Sequence, residues 1–229
     1  MNISVIIPCI NEASDIAGAV DSAWQAGAAE VIVVDGGSTD QTCDIAAGMN
    51  ARLFNSLPGR GKQQHVGARQ ATGEVLLFLH ADSRLTAVCI RQISRAMNGS
   101  KLKYGAFWQE IQNSGWQYRW LETGNAARVS LFGLAYGDQA IFIDRDFYFQ
   151  LGGFPEAVLM EDVALMRRAR KFSRPKLLPG PVLVSSRRWE ARGVIKQSLI
   201  NWSILCAFFL GVSPDRLARF YRRHDERKT

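Results

Sequence analysis

The chain has 229 residues, 47% of them hydrophobic and 21% charged, with 28 Lys and Arg against 21 Asp and Glu for a net charge of +7. This is enough chain to bury a proper core, as one large domain or one domain with an extension, and the composition excludes a disordered or low-complexity protein. The basic excess calls for an anionic partner; no nucleic-acid-binding module pattern accompanies it, which leaves phosphorylated small molecules and membrane surfaces.

Ile3–Pro8 (ISVIIP) reads as a buried strand, followed by Asn11-Glu12 and a helix with apolar positions at Ile16, Ala19, Val20, Ala23 and Trp24, capped by Ser14 or Asp15. Glu30–Val34 is a second strand, ending in Asp35-Gly-Gly-Ser-Thr-Asp40, a glycine turn that leads into a short helix to Gly48. Ala51–Asn55 is a weaker third strand, Ser56–Lys62 a loop, and a helix starts near Gln63 and runs to Ala71. Val75–Leu79 is an unbroken apolar run, as expected of a strand buried on both faces of a parallel sheet. The β-α-β-α-β-α-β alternation predicts an α/β fold, an open, mainly parallel sheet with helices on both faces. After a helix over Thr86–Met97 the pattern loosens into a mixed second half. Strands are expected at Tyr104–Ile111, Gln139–Ile143 and Val182–Ser185, helices at Trp116–Phe132 and Met160–Lys171, and a helical tail over Gly193–Gly211 and Pro214–Arg223.

Four cysteines, Cys9, Cys43, Cys89 and Cys206, lie far apart without CxxC or His pairing, which indicates neither zinc nor a disulfide frame and fits a reduced, cytoplasmic protein. The chain enters a strand at once, so no signal peptide is expected. The longest apolar run, 199–212, contains Asn201 and is shorter than the ~20 residues that span a bilayer.

Three acids fall at or beyond strand ends in the first half: Glu12, Asp35 and Asp82. Ligands of doubly wound sheets sit over the carboxyl ends of the strands. Asp35 is a ribose-type ligand or a turn-former bonded to its own loop; the Gly36-Gly37 pair favours the ligand, because it lets a base or sugar approach the backbone. A dinucleotide fold is excluded, since the first turn, PCINEAS, lacks GxGxxG. Arg60 and Lys62 in Pro58-Gly-Arg-Gly-Lys62 precede a helix, a setting for phosphate that a plain basic surface loop would share. Asp82 either caps the next helix or holds Mn2+ or Mg2+ on those phosphates, where the ion would neutralise a departing diphosphate. On a continuing strand residues 80 and 82 point the same way, so His80 is a second metal ligand or a well-bonded strand-end histidine. Glu161-Asp162 open a helix as dipole-favoured acids, or supply the carboxylate base that displacement at a sugar carbon needs; Asp138 is a second candidate.

In order, SVIIPCINE, VIVVDGGSTDQT, GRGKQQHVGARQATGEVLLFLHADS, GDQAIFIDRDFYFQLGGFPE and MEDVALMRRAR resemble the motifs of family 2 glycosyltransferases with the GT-A fold, over about residues 2–189. The set is similar to the short radical-SAM/selenodomain-associated transferase 2 subgroup. The resemblance implies an inverting hexosyltransferase that uses a nucleotide-diphosphate sugar, Mn2+ or Mg2+, and a hydroxyl acceptor on a small molecule or lipid. It places Pro8, Glu12 and Asp35 at the nucleoside, and Lys62 and Arg69, with Arg60 beside them, near the diphosphate. Asp82 takes the metal-binding position of the DxD motif, with His80 at its first position. Asp162 falls at the catalytic base with Glu161 next to it, and Asp138, Arg188 and Trp189 on the acceptor side. Residues 1–190 then form the transferase domain, with a nucleotide-binding half over 1–100 and an acceptor half over 101–190, and 191–229 a helical extension.

Three positions depart from the family pattern: His80 for an acid, Ile10 where some relatives carry an aromatic, and Ser185 for the Gln of the processive QxxRW motif. The last argues against a polysaccharide synthase. A nucleotidyltransferase lacks support in PCINEAS, and a non-catalytic sugar-nucleotide-binding or membrane-docking module leaves Glu161-Asp162 unexplained. In the tail Trp189, Trp202, Phe208, Phe209, Phe220 and Tyr221 interleave with basic residues. Such a segment packs on the sheet domain or docks weakly at an anionic inner-face membrane.

Overall fold

The structure, a computed structural model, describes residues 1–157 and 159–225. The first half alternates as β1 (Ile3–Cys9), α1 (Ile16–Ala26), β2 (Glu30–Asp35), α2 (Thr42–Ala47), β3 (Arg52–Asn55), α3 (Arg60–Gln70) and β4 (Val75–Phe78). All seven residues of β1 are buried, which is why its sequence shows no polar alternation. It pairs in parallel with β2 on one side and β4 on the other, and β3 extends the parallel array from β2.

The second half contains β5 (Ser83–Leu85), α4 (Cys89–Met97), β6 (Tyr104–Ile111), α5 (Trp116–Phe132), a 3-10 turn (Gly137–Gln139), β7 (Phe142–Asp144), α6 (Arg145–Gln150), α7 (Glu161–Ala169) and β8 (Lys176–Val184). Three helices follow: α8 (Arg187–Arg192), α9 (Val194–Phe209) and α10 (Pro214–Asp225). One eight-stranded sheet runs β3-β2-β1-β4-β7-β6-β8-β5, with β7 and β5 antiparallel to their neighbours. Residues 79–82 alone join the central β4 to the edge strand β5, so the sheet curls to bring that edge back beside α1.

The two faces carry two cores. Ile3, Val5 and Ile7 of β1 pack with Ile16, Ala19, Val20 and Ala23 of α1 and Ile93 of α4. Ile6, Ile32, Val34 and Phe78 pack on the other face with Ala68 of α3, Tyr148 of α6 and Val163 of α7. Each such fully buried aliphatic contributes about 1.5–3 kcal/mol relative to exposure. Ile204 and Leu205 of α9 and Leu217 of α10 join the second core, while Ile195, Leu199, Trp202 and Leu210 stay exposed. Among the described residues no helix is long and apolar enough to cross a membrane.

Several elements depart from expectation. α3 begins at Arg60, so Arg60 and Lys62 are first-turn helix residues and not loop residues. β4 stops at Phe78, so His80 and Asp82 share no strand face. The strand expected at Gln139–Ile143 is a 3-10 turn followed by β7. The short last strand is instead the nine-residue β8, whose Pro179 and Pro181 disguise it; Pro lacks the ladder N–H, and the pairing with β6 shifts register there.

Candidate active site

Parallel β1, β2 and β4 run side by side, so their carboxyl ends meet at one edge of the sheet, the cleft over which ligands of such sheets sit. Asp35, the last residue of β2, is buried, and its Oδ2 accepts the N–H groups of Gly37 and Ser38, both at 2.9 Å. Burial alone would raise its pKa, but the hydrogen bonds from Ser38 and Gly37 outweigh it and hold the carboxyl below its ordinary value. The turn-forming role is therefore present in the geometry. Gly36 does not offer an open backbone, because a Cβ there would lie 2.6 Å from Ile10 and 2.9 Å from Gln63. The Gln63 amide of α3 braces the floor, donating to the carbonyls of Cys9 (2.8 Å) and Val34 (2.9 Å). Pro8 is buried within β1, and Ile10 covers the turn.

At the cleft mouth a guanidinium stands among three acids. Arg187 of α8 lies 2.8 Å from Asp15, 3.7 Å from Glu12 and 3.9 Å from Asp82. Burial, then the charge of Asp82, raises the Glu12 carboxyl above its usual range, and Arg187 opposes that shift. Asp82 keeps 27% of its side chain exposed.

Beside the cleft lies a cavity of about 140 Å³ lined by Arg60, His80, Gly137, Asp138, Glu161 and Asp162, among others. The Asp162 carboxylate is fixed by two backbone donors: Gly137 N–H to Oδ2 and Val163 N–H to Oδ1, both 2.7 Å. Glu161 is buried, and its carboxyl is pushed up to about 7, first by burial and then by the adjacent Asp162 charge. Arg60, 3.6 Å from Glu161 and 43% exposed, pulls the other way. For Arg60 itself burial favours deprotonation, and Glu161, Asp162, Asp82 and Asp138 together overcome it. This approach of α3 to α7 requires Gly61, where a Cβ would meet the Pro155 carbonyl at 2.7 Å and Glu161 Cβ at 3.1 Å. The residue before the acid pair, Met160, holds a left-handed φ of 67°, a conformation costing on the order of 1–3 kcal/mol.

The turn that carries Asp138 is set by a residue the sequence reading does not single out. Arg128 of α5 is buried, donates to the Leu134 carbonyl (2.8 Å) and Gln139 Oε1 (3.1 Å), and lies 3.3 Å over the Tyr136 ring. Burial lowers its pKa and pushes the Tyr136 phenol up to about 12. A lone Arg on an otherwise apolar stretch, AARVS, is the signal that marks it.

The structure thus gathers Glu12, Asp82 and Arg187 at one end and Arg60, His80, Asp138, Glu161 and Asp162 at the other. Trp189 is buried and walls the cavity. His80 faces Gly137, its Nε2 2.5 Å from where a Cβ there would stand, while Asp82 faces Arg187. Lys62 reaches Glu156 at 3.8 Å on the surface. Arg69 is not brought to the cleft: it ends α3, ~13 Å of helix away from Arg60, because a crossover helix runs back from the carboxyl to the amino edge of the sheet. The Arg188 side chain lies outside the described residues.

Glycosyl transferase family 2 matches residues 4–123. A PGL/p-HBAD biosynthesis glycosyltransferase of Mycobacterium tuberculosis strain H37Rv is 32% identical over 164 residues, 66% of this chain and 62% of the relative. An uncharacterized glycosyltransferase of Mycobacterium bovis is 35% identical over 86 residues, 37% of this chain and 38% of the relative. The chain therefore spans about three fifths of the length of the first of these relatives. Among solved structures, S. aureus TarS 1–349 in complex with UDP-GlcNAc superposes with a TM-score of 0.65 at 20% identity, covering 81% of this chain and 58% of that one. Glucosyl-3-phosphoglycerate synthase from Mycobacterium tuberculosis, in complex with Mn2+, UDP and glucosyl-3-phosphoglycerate, gives 0.56 at 18%, covering 80% and 70%. At these identities the likeness speaks for the fold, which is GT-A. With more than half of its residues matched by the family pattern, and with strands β2 to β6, the turn after β2 and the crossing after β4 all falling inside the matched stretch, the chain belongs to glycosyl transferase family 2.

Proposed function

We propose that the chain transfers a sugar from a nucleotide-diphosphate sugar to an acceptor hydroxyl with inversion at the anomeric carbon. The observation that carries this reading is Asp162, a carboxylate fixed by two backbone N–H groups in a small cavity beside the cleft over β1, β2 and β4. The nucleoside lies over the Asp35 turn, and the diphosphate faces Arg60 at the start of α3, where helix N–H groups favour an anion. The acceptor oxygen attacks the anomeric carbon and a new C–O bond forms. The bond from that carbon to the diphosphate oxygen breaks on the opposite face, and the acceptor proton goes to Asp162. Asp138 lines the same cavity and borders the acceptor.

Mn2+ or Mg2+ fits this cleft as a shared ligand. Among the described residues no three His, Cys, Asp or Glu side chains group to hold an ion, but Asp82 offers one partly exposed carboxylate. Such ions are bound by one or two carboxylates with substrate phosphates and water completing the shell. The ion would supply charge neutralisation on the departing diphosphate.

The test is incubation with a panel of nucleotide sugars, with and without Mn2+, scoring released nucleoside diphosphate and the anomeric configuration of any product. Release from at least one donor and a product inverted relative to it are expected. Silence across the panel, with UDP and other nucleoside diphosphates failing to bind, defeats the proposal.

A further inference from the structure

A second, larger cavity opens beside the carboxylate cavity. It is a groove of about 890 Å³ between α5 and α9, within the 300–1,000 Å³ range of small-ligand sites. Trp116 and Trp120 of α5 face Ile195, Leu199 and Trp202 of α9 across it. These five are between 58% and 78% exposed, although large apolar side chains clustered in the open mark a binding surface. The groove is continuous with the carboxylate cavity, because Tyr136, Asp138, Trp189 and Asn201 line both. Polarity therefore changes along its length. Carboxylates and the buried Arg128 stand at the inner end, indoles and aliphatic side chains at the outer, and Lys196 is the cation of the outer lining.

We propose that this groove is the acceptor subsite and that its occupant is a hydroxyl-bearing lipid, an amphiphile whose alkyl chain lies between α5 and α9 while its hydroxyl reaches Asp162. This rests on the transferase reading above and adds the class of acceptor to it. A polar acceptor such as a free saccharide would need many hydrogen-bonding partners along its body, and the outer groove offers few beyond Gln117, Asn125 and Ser198. An alkyl chain needs none, and gains from burial against indole and isobutyl groups. Amphipathic indole rings suit a site whose occupant is apolar at one end and wet at the other.

The test uses the full chain and a monoacylglycerol carrying bromine atoms on its acyl chain, held below its critical micelle concentration. Bromine quenches indole fluorescence on contact, and three of the six tryptophans line the outer groove. Saturable quenching is expected, with none from glycerol alone. Gly124 lines the groove at a point where a Cβ would meet nothing within 4 Å, so Gly124→Phe adds bulk without strain and improves on glycine in a helix. The half-saturating concentration should rise at least tenfold in that variant, with a melting temperature no lower than that of the wild type.

Equal quenching in Gly124→Phe overturns the proposal. So does protection of the indoles by mono- or disaccharides in place of the lipid, or light scattering that shows a dimer with the indoles already shielded. Hydrolysis of nucleotide sugars without acceptor is followed in parallel. Hydrolysis without lipid binding sinks the groove assignment alone, whereas lipid binding without any nucleotide-sugar turnover sinks the transferase reading.

Discussion

In the first 78 residues the polar groups at the sheet edge are braced against regular, paired strands and the turns that end them. Asp35 is held by the two residues that follow Gly36, and Gln63 ties together strand ends that already pair in register. In the second half the same work falls to turns that lie outside the regular sheet. Asp162 is held by its neighbour Val163 and by Gly137, 25 positions away, and the turn carrying Gly137 is tied down by one buried guanidinium. A repeated strand-helix unit distributes its cost over many backbone bonds, whereas an irregular half concentrates it in a few side chains. Substitutions should therefore act locally and mildly in the first half, and strongly in the second.

The sharpest separation comes from Asp162→Asn, which keeps shape and hydrogen-bond acceptance at one oxygen but removes the base. Turnover should fall by roughly 10²–10⁴-fold, with nucleotide affinity by calorimetry unchanged. If affinity falls together with turnover, the two halves do not act separately. Arg128→Leu leaves the Leu134 carbonyl without its side-chain donor and takes one of two donors from Gln139 Oε1, and should cost about 1–3 kcal/mol in denaturant unfolding. A loss below about 1 kcal/mol would show that the second half is braced as broadly as the first.

Glu161 supplies a pH dependence. Its carboxyl is raised from 4.5 to about 7 in the fold, so the folded state holds a proton that the unfolded chain releases. The stability from that proton is fully present below pH ~4.5 and is lost as pH rises through about 7, on the order of 3 kcal/mol in all. Melting temperature should decline across that window, and Glu161→Gln should flatten the decline. A wild-type profile that rises from pH 5 to 8 with no flattening in the variant would contradict the burial of this acid.

The smallest effect is expected for Arg187→Ala. Its side chain is 55% exposed, and such pairs contribute at most about 1 kcal/mol, so unfolding should hardly change. The Mn2+ concentration that half-saturates nucleotide binding should fall, by less than tenfold, because a competing cation has left Glu12 and Asp82. An increase would assign Arg187 to the nucleotide instead of to the acids.

The first half is legible because parallel strands buried on both faces must be largely apolar, and Val5–Pro8, Val31–Val34 and Val75–Leu79 are unbroken apolar runs. The start of α3 is missed by three residues, since Gly59-Arg60-Gly61 reads as a turn while Gly61 is there for the contact with α7. β8 is hidden by two prolines. The acids of the site are legible as residue types at strand and helix ends. Their grouping is not, because it depends on where 79–82 crosses the curled sheet, which sends His80 toward Gly137 and Asp82 toward Arg187. Arg69 shows the converse: the motif is adjacent in sequence, yet the helix carries its far end away from the cleft. Arg187 belongs to the cluster only through ion pairs to residues near the other end of the chain, and no local pattern encodes those.

Arg187 and Trp189 stand two positions apart on α8, a helix of only six residues, and so point to nearly opposite sides of it. One is gripped by three carboxylates and the other is the shared wall of the small cavity and the wide groove. The helix is thus a short lever with a charged arm and an aromatic arm. A divalent ion at Asp82 would compete only with the longest of the three contacts, 3.9 Å against 2.8 Å to Asp15, and so would leave the charged arm anchored. One rigid turn and a half of helix thus ties the charged cleft mouth to the walls of both cavities.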